Sequence, residues 1–234
     1  MTELRIDYSA LTELAASAGR RLRGWKWTSA LARVSLGLCV LALLPFVLLI
    51  RGGILLYQWW GLGTWPSLLL AALATMWLLA VYAVAAGTWL GASRELRRSF
   101  ARGAMAIGAA YVVYGLVFVA GANVTSAEVR AEYRALHPLL RLGSSAIILM
   151  DSGSVITDAG RSEPDYARMG LPPRERSMHY RQRDGYVHAL DLRTNGRSGL
   201  RNFSVQLAFR ALGFRVIRHV GTADHLHVSL PLPG

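Results

Sequence analysis

Three long apolar stretches occupy the first half of the chain. They run from Leu31 to Ile50, from Pro66 to Leu90 and from Ala104 to Val124, and the second and third contain no charged residue. A helix needs about 20 such residues to cross the hydrocarbon core of a bilayer, and a buried helix in a soluble core is usually shorter. The pattern therefore predicts three transmembrane helices.

Beyond Asn123 the long apolar stretches give way to short ones separated by polar residues. Residues 1–123 contain 4 acidic residues, and residues 124–234 contain the other 10. We therefore divide the chain into a cytoplasmic tail, a membrane region and a small domain, which cover residues 1–29, 30–124 and 125–234.

The spacing of apolar residues in the second half predicts both helices and strands. Helical spacing covers Ser126–Leu142 and Asn202–Leu212, with Ser126 as an N-cap and Gly213 as a stop signal. Residues 160–176 are predicted to be a loop. Short or alternating apolar runs predict five strands: Ala146–Met150, Val155–Asp158, Tyr186–Leu192, Phe214–His219 and His225–Leu230. This order is typical of a small α+β domain with an antiparallel sheet.

The composition supports a membrane protein. Hydrophobic residues make up 53% of the chain and charged residues 17%, whereas soluble domains carry about 25% charged residues. The single cysteine, Cys39, excludes a scaffold of intrachain disulfides. An ordinary cytosolic enzyme is a poor match to this composition.

The basic residues predict the orientation in the membrane. They cluster before the first apolar stretch and between the second and the third, whereas Arg51 alone lies between the first and the second. Loops rich in lysine and arginine stay in the cytoplasm. We therefore expect the tail and the loop containing Arg94–Arg102 to be cytoplasmic, and the C-terminal domain to lie outside the cytoplasm. A retained anchor is expected, because no small-residue cleavage site follows the first stretch.

The histidines and aspartates of the small domain carry the candidate chemistry. His225 and His227 are two residues apart on a predicted strand and therefore share a face. Asp224 directly precedes them, Asp191 lies on an earlier predicted strand, and His179 lies in the loop before that strand. One aspartate and two histidines give a three-ligand site with an open fourth position, which is the arrangement of a catalytic zinc. A further carboxylate could serve as the general base.

These residues resemble a known pattern. The segments Ser177-Met178-His179, Ala189-Leu190-Asp191 and Asp224-His225-Leu226-His227 are similar to the motifs of the LAS zinc metallopeptidases, the superfamily of D-Ala-D-Ala carboxypeptidases and hedgehog-type domains. The resemblance covers residues 145–232 and includes Gly160-Arg161-Ser162. It implies a hedgehog/D-Ala-D-Ala peptidase-like fold for the small domain.

The resemblance also implies a role for each matching residue. His179, Asp191 and His227 would bind zinc. Asp224, three residues before His227, would be the general base, and His225 would stabilise the developing oxyanion. Arg161 and Ser162 would bind substrate, with the planar guanidinium of Arg161 on a substrate carboxylate.

The spacing of the first two ligands departs from the family pattern. Eleven residues separate His179 from Asp191, where the family usually has six, and the additional residues lie within Arg181–Val187. Loop closure depends only weakly on length, so an insertion is tolerated. His188 remains an alternative first ligand, and Asp184, at the family's usual spacing, is a poor replacement. His137 and His219 are interpreted as ordinary surface or packing residues.

The resemblance implies a zinc peptidase that acts on peptidoglycan peptides, as a carboxypeptidase or an endopeptidase at D-amino-acid bonds, and the apolar stretches predict that it is anchored in a membrane. It would be a multi-pass protein of the bacterial cytoplasmic membrane. The alternative is a non-catalytic metal-binding sensor or scaffold that binds wall peptides or a partner protein. The small domain contains 15 basic and 10 acidic residues, a net charge of +5, which suits anionic wall polymers. Nucleic acid is not an expected partner.

Overall fold

The computed structural model describes residues 8–161, 163–168, 170, 172, 177–221 and 224–233, with side chains from residue 31 onward except that of residue 163. Ser162, predicted to bind substrate, therefore lies outside the described residues. The chain divides into two compact units, Met1–Leu44 and Pro45–Gly234. The first unit contributes the N-terminal part of a long helix, and all contacts given below lie within the second.

Three long helices form the first half of the chain, among the residues that the structure describes. They are α1 (Tyr8–Trp59), α2 (Thr64–Trp89) and α3 (Arg94–Val117). Leu31–Trp59 of α1 and the whole of α2 and α3 are long and apolar enough to cross a membrane. This finding fits a multi-pass membrane protein and confirms the prediction of three long apolar helices.

The third long helix begins earlier than the sequence pattern predicts. The arginine-rich segment Arg94–Arg102 was predicted to be a loop, but it forms the first turns of α3. The side chain of Ser93 accepts a hydrogen bond from the amide of Leu96 and caps the helix. Arginine is a good helix former, and Glu95 interacts favourably with the helix dipole in the first turn. The loop prediction was therefore wrong, because it followed charge and ignored propensity.

A proline divides the helix that was predicted over Ser126–Leu142. The first part is α4 (Ala127–Glu132), whose start at Ser126 is confirmed by a hydrogen bond from the amide of Val129. A 3₁₀ turn follows, and Pro138 cannot continue a helix because it lacks an amide hydrogen. Pro138 instead begins α5 (Pro138–Met150), a position that proline favours.

The apolar run Ala146–Met150 is the last part of α5, so the prediction of a strand there was wrong. A short apolar run does not distinguish a buried strand from a buried helix by periodicity.

The remaining helices are α6 (Glu163–Arg168), within the segment predicted to be a loop, and α7 (Gly199–Leu212). The end of α7 is as predicted, because Gly213 adopts a φ of 103° and terminates the helix.

Within the described residues, four strands form one antiparallel sheet. They are β1 (Ile156–Asp158), β2 (Ala189–Arg193), β3 (Arg215–His219) and β4 (His225–Ser229), in the order β1-β2-β4-β3. The predicted strands in these four regions and their antiparallel pairing are confirmed. The central pair, β2 and β4, carries most of the candidate ligands.

The end of α1 belongs to the same hydrophobic core as the small domain. Ile50 and Ile54 are at most 1% exposed and lie in one apolar cluster with residues of α5 and β4. A side chain at Gly53 would come within 2.6 Å of Leu139, so α1 and α5 approach closely there. The ends of the long helices therefore complete the core on which the sheet rests.

Candidate metal centre

The pairing of β2 with β4 brings two of the three predicted ligands together. Asp191 lies directly opposite His227 in the register of the two strands. Opposing residues of an antiparallel pair project to the same face of the sheet. The third predicted ligand, His179, comes from the loop before β2, and its carbonyl accepts a hydrogen bond of 2.9 Å from the amide of Arg161.

The three ligand atoms lie at distances suited to one metal ion. His179 Nε2 is 3.2 Å from His227 Nδ1 and 3.5 Å from Asp191 Oδ1, and the last two atoms are 2.9 Å apart. Bonds of about 2.1 Å at a tetrahedral zinc separate neighbouring ligand atoms by about 3.4 Å. We call these three residues the metal cluster, because they could hold a metal ion.

The hydrogen bond behind His179 sets which of its nitrogens can bind a metal. Its Nδ1 lies 2.6 Å from the carbonyl oxygen of Ala159 and donates to it. A neutral imidazole with its hydrogen on Nδ1 has a lone pair on Nε2, and this nitrogen faces Asp191 and His227. A backbone carbonyl behind the ring is a common means of orienting a metal-binding histidine.

Asp191 is held as a carboxylate. Burial of its side chain raises the pKa, but the hydrogen bonds of His179 and His227 and the charges of His179 and His225 outweigh burial and keep the pKa below its ordinary range. Arg161 Nη2 donates to Asp191 Oδ2 over 3.0 Å. The side chain is thus an ionised ligand whose second oxygen is already oriented.

Arg161 lies beside the metal cluster, as its predicted role requires. Its guanidinium bridges Asp158, at 2.6 Å, and Asp191, at 3.0 Å, and it lies over the ring of Tyr166 with 5.8 Å to the centroid. The side chain is 19% exposed. In this arrangement Arg161 orients a ligand carboxylate, and a substrate carboxylate would compete for the same guanidinium.

The predicted general base, Asp224, is paired with other residues. It accepts hydrogen bonds from Thr194 Oγ1 at 2.7 Å and from Arg218 Nη2 at 2.8 Å. The hydrogen bond from Arg218 is the main cause of a pKa lowered to about 2, and the hydrogen bond from Thr194 contributes to it. A carboxylate with so low a pKa is a weak base near neutral pH.

His225 lies at the edge of the metal cluster, and a histidine from β3 accompanies it. His225 Nε2 is 3.6 Å from Asp191 Oδ2. His219 lies opposite His225 in the register of β3 and β4, and the two rings stack with centroids 4.8 Å apart. The sequence pattern indicated only an ordinary surface or packing role for His219. Its position follows from the strand register, and the alternation within β3 carried the only signal.

A second group of histidines and an aspartate lies elsewhere in the domain. His137, Asp184 and His188 could also hold a metal ion, as judged from the separations of their ligand atoms. His188, the alternative first ligand, belongs to this group, and its Nε2 is 2.9 Å from Asp184 Oδ2. The structure therefore brings His179 to Asp191 and His227, and it places His188 with Asp184. Sequence reasoning weighed His188 and Asp184 only as alternatives for the first ligand, and no pattern connected them to His137, which caps α5.

The metal cluster could hold one metal ion through two imidazoles and a carboxylate. Such a donor set fits zinc better than calcium or magnesium, which prefer oxygen ligands. The chain matches no protein-family model, no curated protein and no solved structure.

Proposed function

We propose that this chain is a membrane-anchored zinc peptidase that cleaves peptidoglycan peptides at D-amino-acid bonds. The convergence of the ligand atoms of His179, Asp191 and His227 within 3.5 Å of one another supports the proposal most directly. The resemblance of the surrounding motifs to LAS metallopeptidases supplies the reaction and the substrate class.

The residues have the following roles in this proposal. The metal cluster holds zinc, which supplies Lewis acidity for water and for a substrate carbonyl. Asp224 accepts the proton of the attacking water and delivers it to the leaving amine, and His225 stabilises the developing oxyanion. Arg161 binds a substrate carboxylate, and Ser162 assists it. Catalysis by Asp224 requires the carboxylate to exchange Arg218 for water or substrate.

The ion pair between Asp224 and Arg218 also favours a second candidate function. If the pair is permanent, the domain binds zinc without turning over substrate, as a sensor or scaffold for wall peptides or a partner protein. Hydrolysis distinguishes the two functions, because zinc binding is common to both.

The test uses the full chain in detergent, because α1 completes the core of the domain. Zinc content is measured by mass spectrometry, and hydrolysis is measured with a stem peptide ending in D-Ala-D-Ala. We expect about one zinc per chain and release of D-alanine. A folded protein without zinc contradicts both candidate functions, whereas zinc without hydrolysis of stem peptides supports the sensor or scaffold.

The proposed location is the bacterial cytoplasmic membrane, with the C-terminal domain outside the cytoplasm. The support is the asymmetry of the basic residues, which lie before Leu31, where the apolar part of α1 begins, and at the start of α3. An alkaline phosphatase fused after Gly234 should be active, because this enzyme requires export. An inactive phosphatase together with an active cytoplasmic reporter at the same position would reverse the orientation.

A further inference from the structure

The residues around Asp184 connect two of the long helices to the loop that carries His179. Tyr57, in the last turn of α1, donates a hydrogen bond of 3.0 Å to Asp184 Oδ2. Thr64, the first residue of α2, donates to the same oxygen over 3.5 Å and lies 3.0 Å from His137 Nε2. We call His137, Asp184, His188, Tyr57 and Thr64 the docking cluster. All its contacts lie within the second compact unit.

We propose that the docking cluster positions the metal ligand His179, so that the ends of α1 and α2 control the affinity of the metal cluster. The inference rests on the proposed function for the identity of that site. Tyr57, Thr64 and Asp184 are positioning residues in this proposal. They act through the backbone of residues 177–188.

The hydrogen bonds within the docking cluster argue against a second metal site there. His137 Nδ1 accepts a hydrogen bond from the amide of Leu139, at the start of α5. A neutral ring then carries its hydrogen on Nε2, which donates to Thr64 Oγ1. No lone pair of His137 remains for a metal in this arrangement.

His188 is engaged on both sides of its ring. Its Nδ1 donates to the carbonyl of Leu230 over 3.2 Å, and its Nε2 donates to both oxygens of Asp184, at 2.9 and 3.1 Å. Both nitrogens therefore act as donors, and the buried ring forms a charge-assisted pair with the carboxylate. The side chain of Asp184 is 24% exposed, so this ion pair is shielded only in part.

The backbone transmits this anchoring to His179. The amide of His188 donates to the carbonyl of Met178 over 2.9 Å, one residue before the metal ligand. Gln182 Nε2 donates to the carbonyls of Ser177 and Tyr180, which flank His179 on both sides. The ligand is thus held between contacts that depend on the position of the segment around Asp184.

The docking cluster also accounts for the additional residues between His179 and Asp191 in this chain. Asp184 lies within Arg181–Val187, the segment that lengthens the spacing between His179 and Asp191. A shorter link would join the two ligands without a carboxylate placed to reach Tyr57 and Thr64. The added length is therefore the part of the loop that contacts the long helices.

The experiment compares variants of the full chain in lipid nanodiscs. Thr64→Val removes a hydroxyl at nearly constant volume, and Thr64→Ser retains the hydroxyl. Thr75→Val is the matched control, because Thr75 is also buried on α2 but donates only to the carbonyl of Ala71 in its own helix. Tyr57→Phe and Asp184→Asn test the other two positioning residues.

Two measurements are made on each variant. Hydrogen exchange reports the amides of Gly185, Val187 and His188, each of which is hydrogen-bonded. Titration with Co²⁺, followed through its d–d absorption, reports the affinity and the ligand geometry of the metal cluster. We expect Thr64→Val, Tyr57→Phe and Asp184→Asn to exchange faster and to bind Co²⁺ about tenfold more weakly, as outer-shell changes do. Thr64→Ser and Thr75→Val should match the wild type.

One set of results would contradict this inference, and another set would contradict the proposed function. The inference is overturned if the wild type binds Co²⁺ and the variants Tyr57→Phe and Asp184→Asn show unchanged hydrogen exchange and unchanged Co²⁺ affinity. In that case the metal cluster is still supported. No Co²⁺ binding by the wild type overturns the proposed function, and faster exchange in Tyr57→Phe would still support docking of the loop. Two Co²⁺ ions per chain, one of them lost in His137→Asn, would show that the docking cluster is a metal site and overturn the inference.

Discussion

The metal cluster and the docking cluster each contain two histidines and an aspartate, but they differ in the hydrogen-bond partners of the histidine rings. In the metal cluster, His179 donates to a carbonyl and directs its other nitrogen toward Asp191 and His227. In the docking cluster, both ring nitrogens of His137 and of His188 are committed to protein atoms. If the docking cluster is not a metal site, as we propose, proximity of histidine and aspartate is insufficient to identify one, and the partner of the second ring nitrogen distinguishes the two clusters.

The largest expected effect comes from removing a ligand of the metal cluster. His227→Ala should weaken zinc binding by more than about 100-fold, because it removes a direct ligand and outer-shell changes already cost 10–100-fold. His137→Asn keeps an acceptor for the amide of Leu139 and should retain zinc. Zinc per chain by mass spectrometry checks both. Equal zinc loss in the two variants would remove the distinction between the clusters.

The next effect concerns hydrolysis at the metal cluster after zinc has bound. Asp224→Asn should lower the rate of stem-peptide hydrolysis by about 10²–10⁴-fold, which is the usual contribution of a general base. Zinc content should stay unchanged, because Asp224 contacts Thr194 and Arg218. Steady-state kinetics with zinc analysis on the same preparation checks this. Full activity of Asp224→Asn would exclude Asp224 as the base.

A smaller effect is the dependence of stability on pH. Burial is the main cause that lowers the pKa of His137 to about 3, and the charge of His188 adds to it, whereas Asp184 opposes it. Between pH 6.5 and pH 3 the unfolded chain therefore binds more protons at this residue than the folded chain does. The free energy of unfolding should fall by about 1.4 kcal/mol per pH unit on acidification through this range.

The variant His137→Asn isolates that contribution, because it removes the titrating ring and leaves the other groups in place. Thermal unfolding in detergent between pH 7 and pH 5 should show a steeper loss of stability for the wild type than for the variant. Parallel pH profiles would mean that His137 does not titrate differently in the folded and unfolded chains.

The smallest effect is on the stability of the docking cluster at neutral pH. Asp184→Asn removes the charge that faces His188 and should reduce the free energy of unfolding by about 1 kcal/mol, because the carboxylate is partly exposed and the pair is screened by solvent. Arg168→Gln breaks the ion pair with Asp165 and is the control, since the Arg168 side chain is 78% exposed. An equal loss of unfolding free energy in both variants would show that Asp184 contributes no more to stability than an ordinary surface charge does.

Sequence patterns sufficed where the interactions are local. The alternation around His225 and His227 predicted their strand and shared face, and the glycine after Leu212 predicted the end of α7. The three long apolar helices followed from length and hydropathy. The motif spacing also placed His179, Asp191 and His227 in one set of candidate ligands, and the structure brings them together.

The remaining features depend on contacts between distant parts of the chain. Tyr57 and Asp184 are 127 residues apart, and no local pattern connects them. The apolar run Ala146–Met150 carries no local signal for a helix. Its conformation depends on packing against the long helices and α7, which are distant in the sequence. Asp224 could be named from its motif, but its ion pair depends on the register that places Arg218 opposite Leu226.

The shared core of α1 and the small domain sets an order for biosynthesis. Ile50 and Ile54 are made before Leu139, which packs over Gly53 and comes 86 residues later in the chain. During translation this side of α1 faces lipid or another helix until α5 and the sheet arrive. A nascent chain released before α5 would leave Ile50 and Ile54 without the partners that bury them in the finished core.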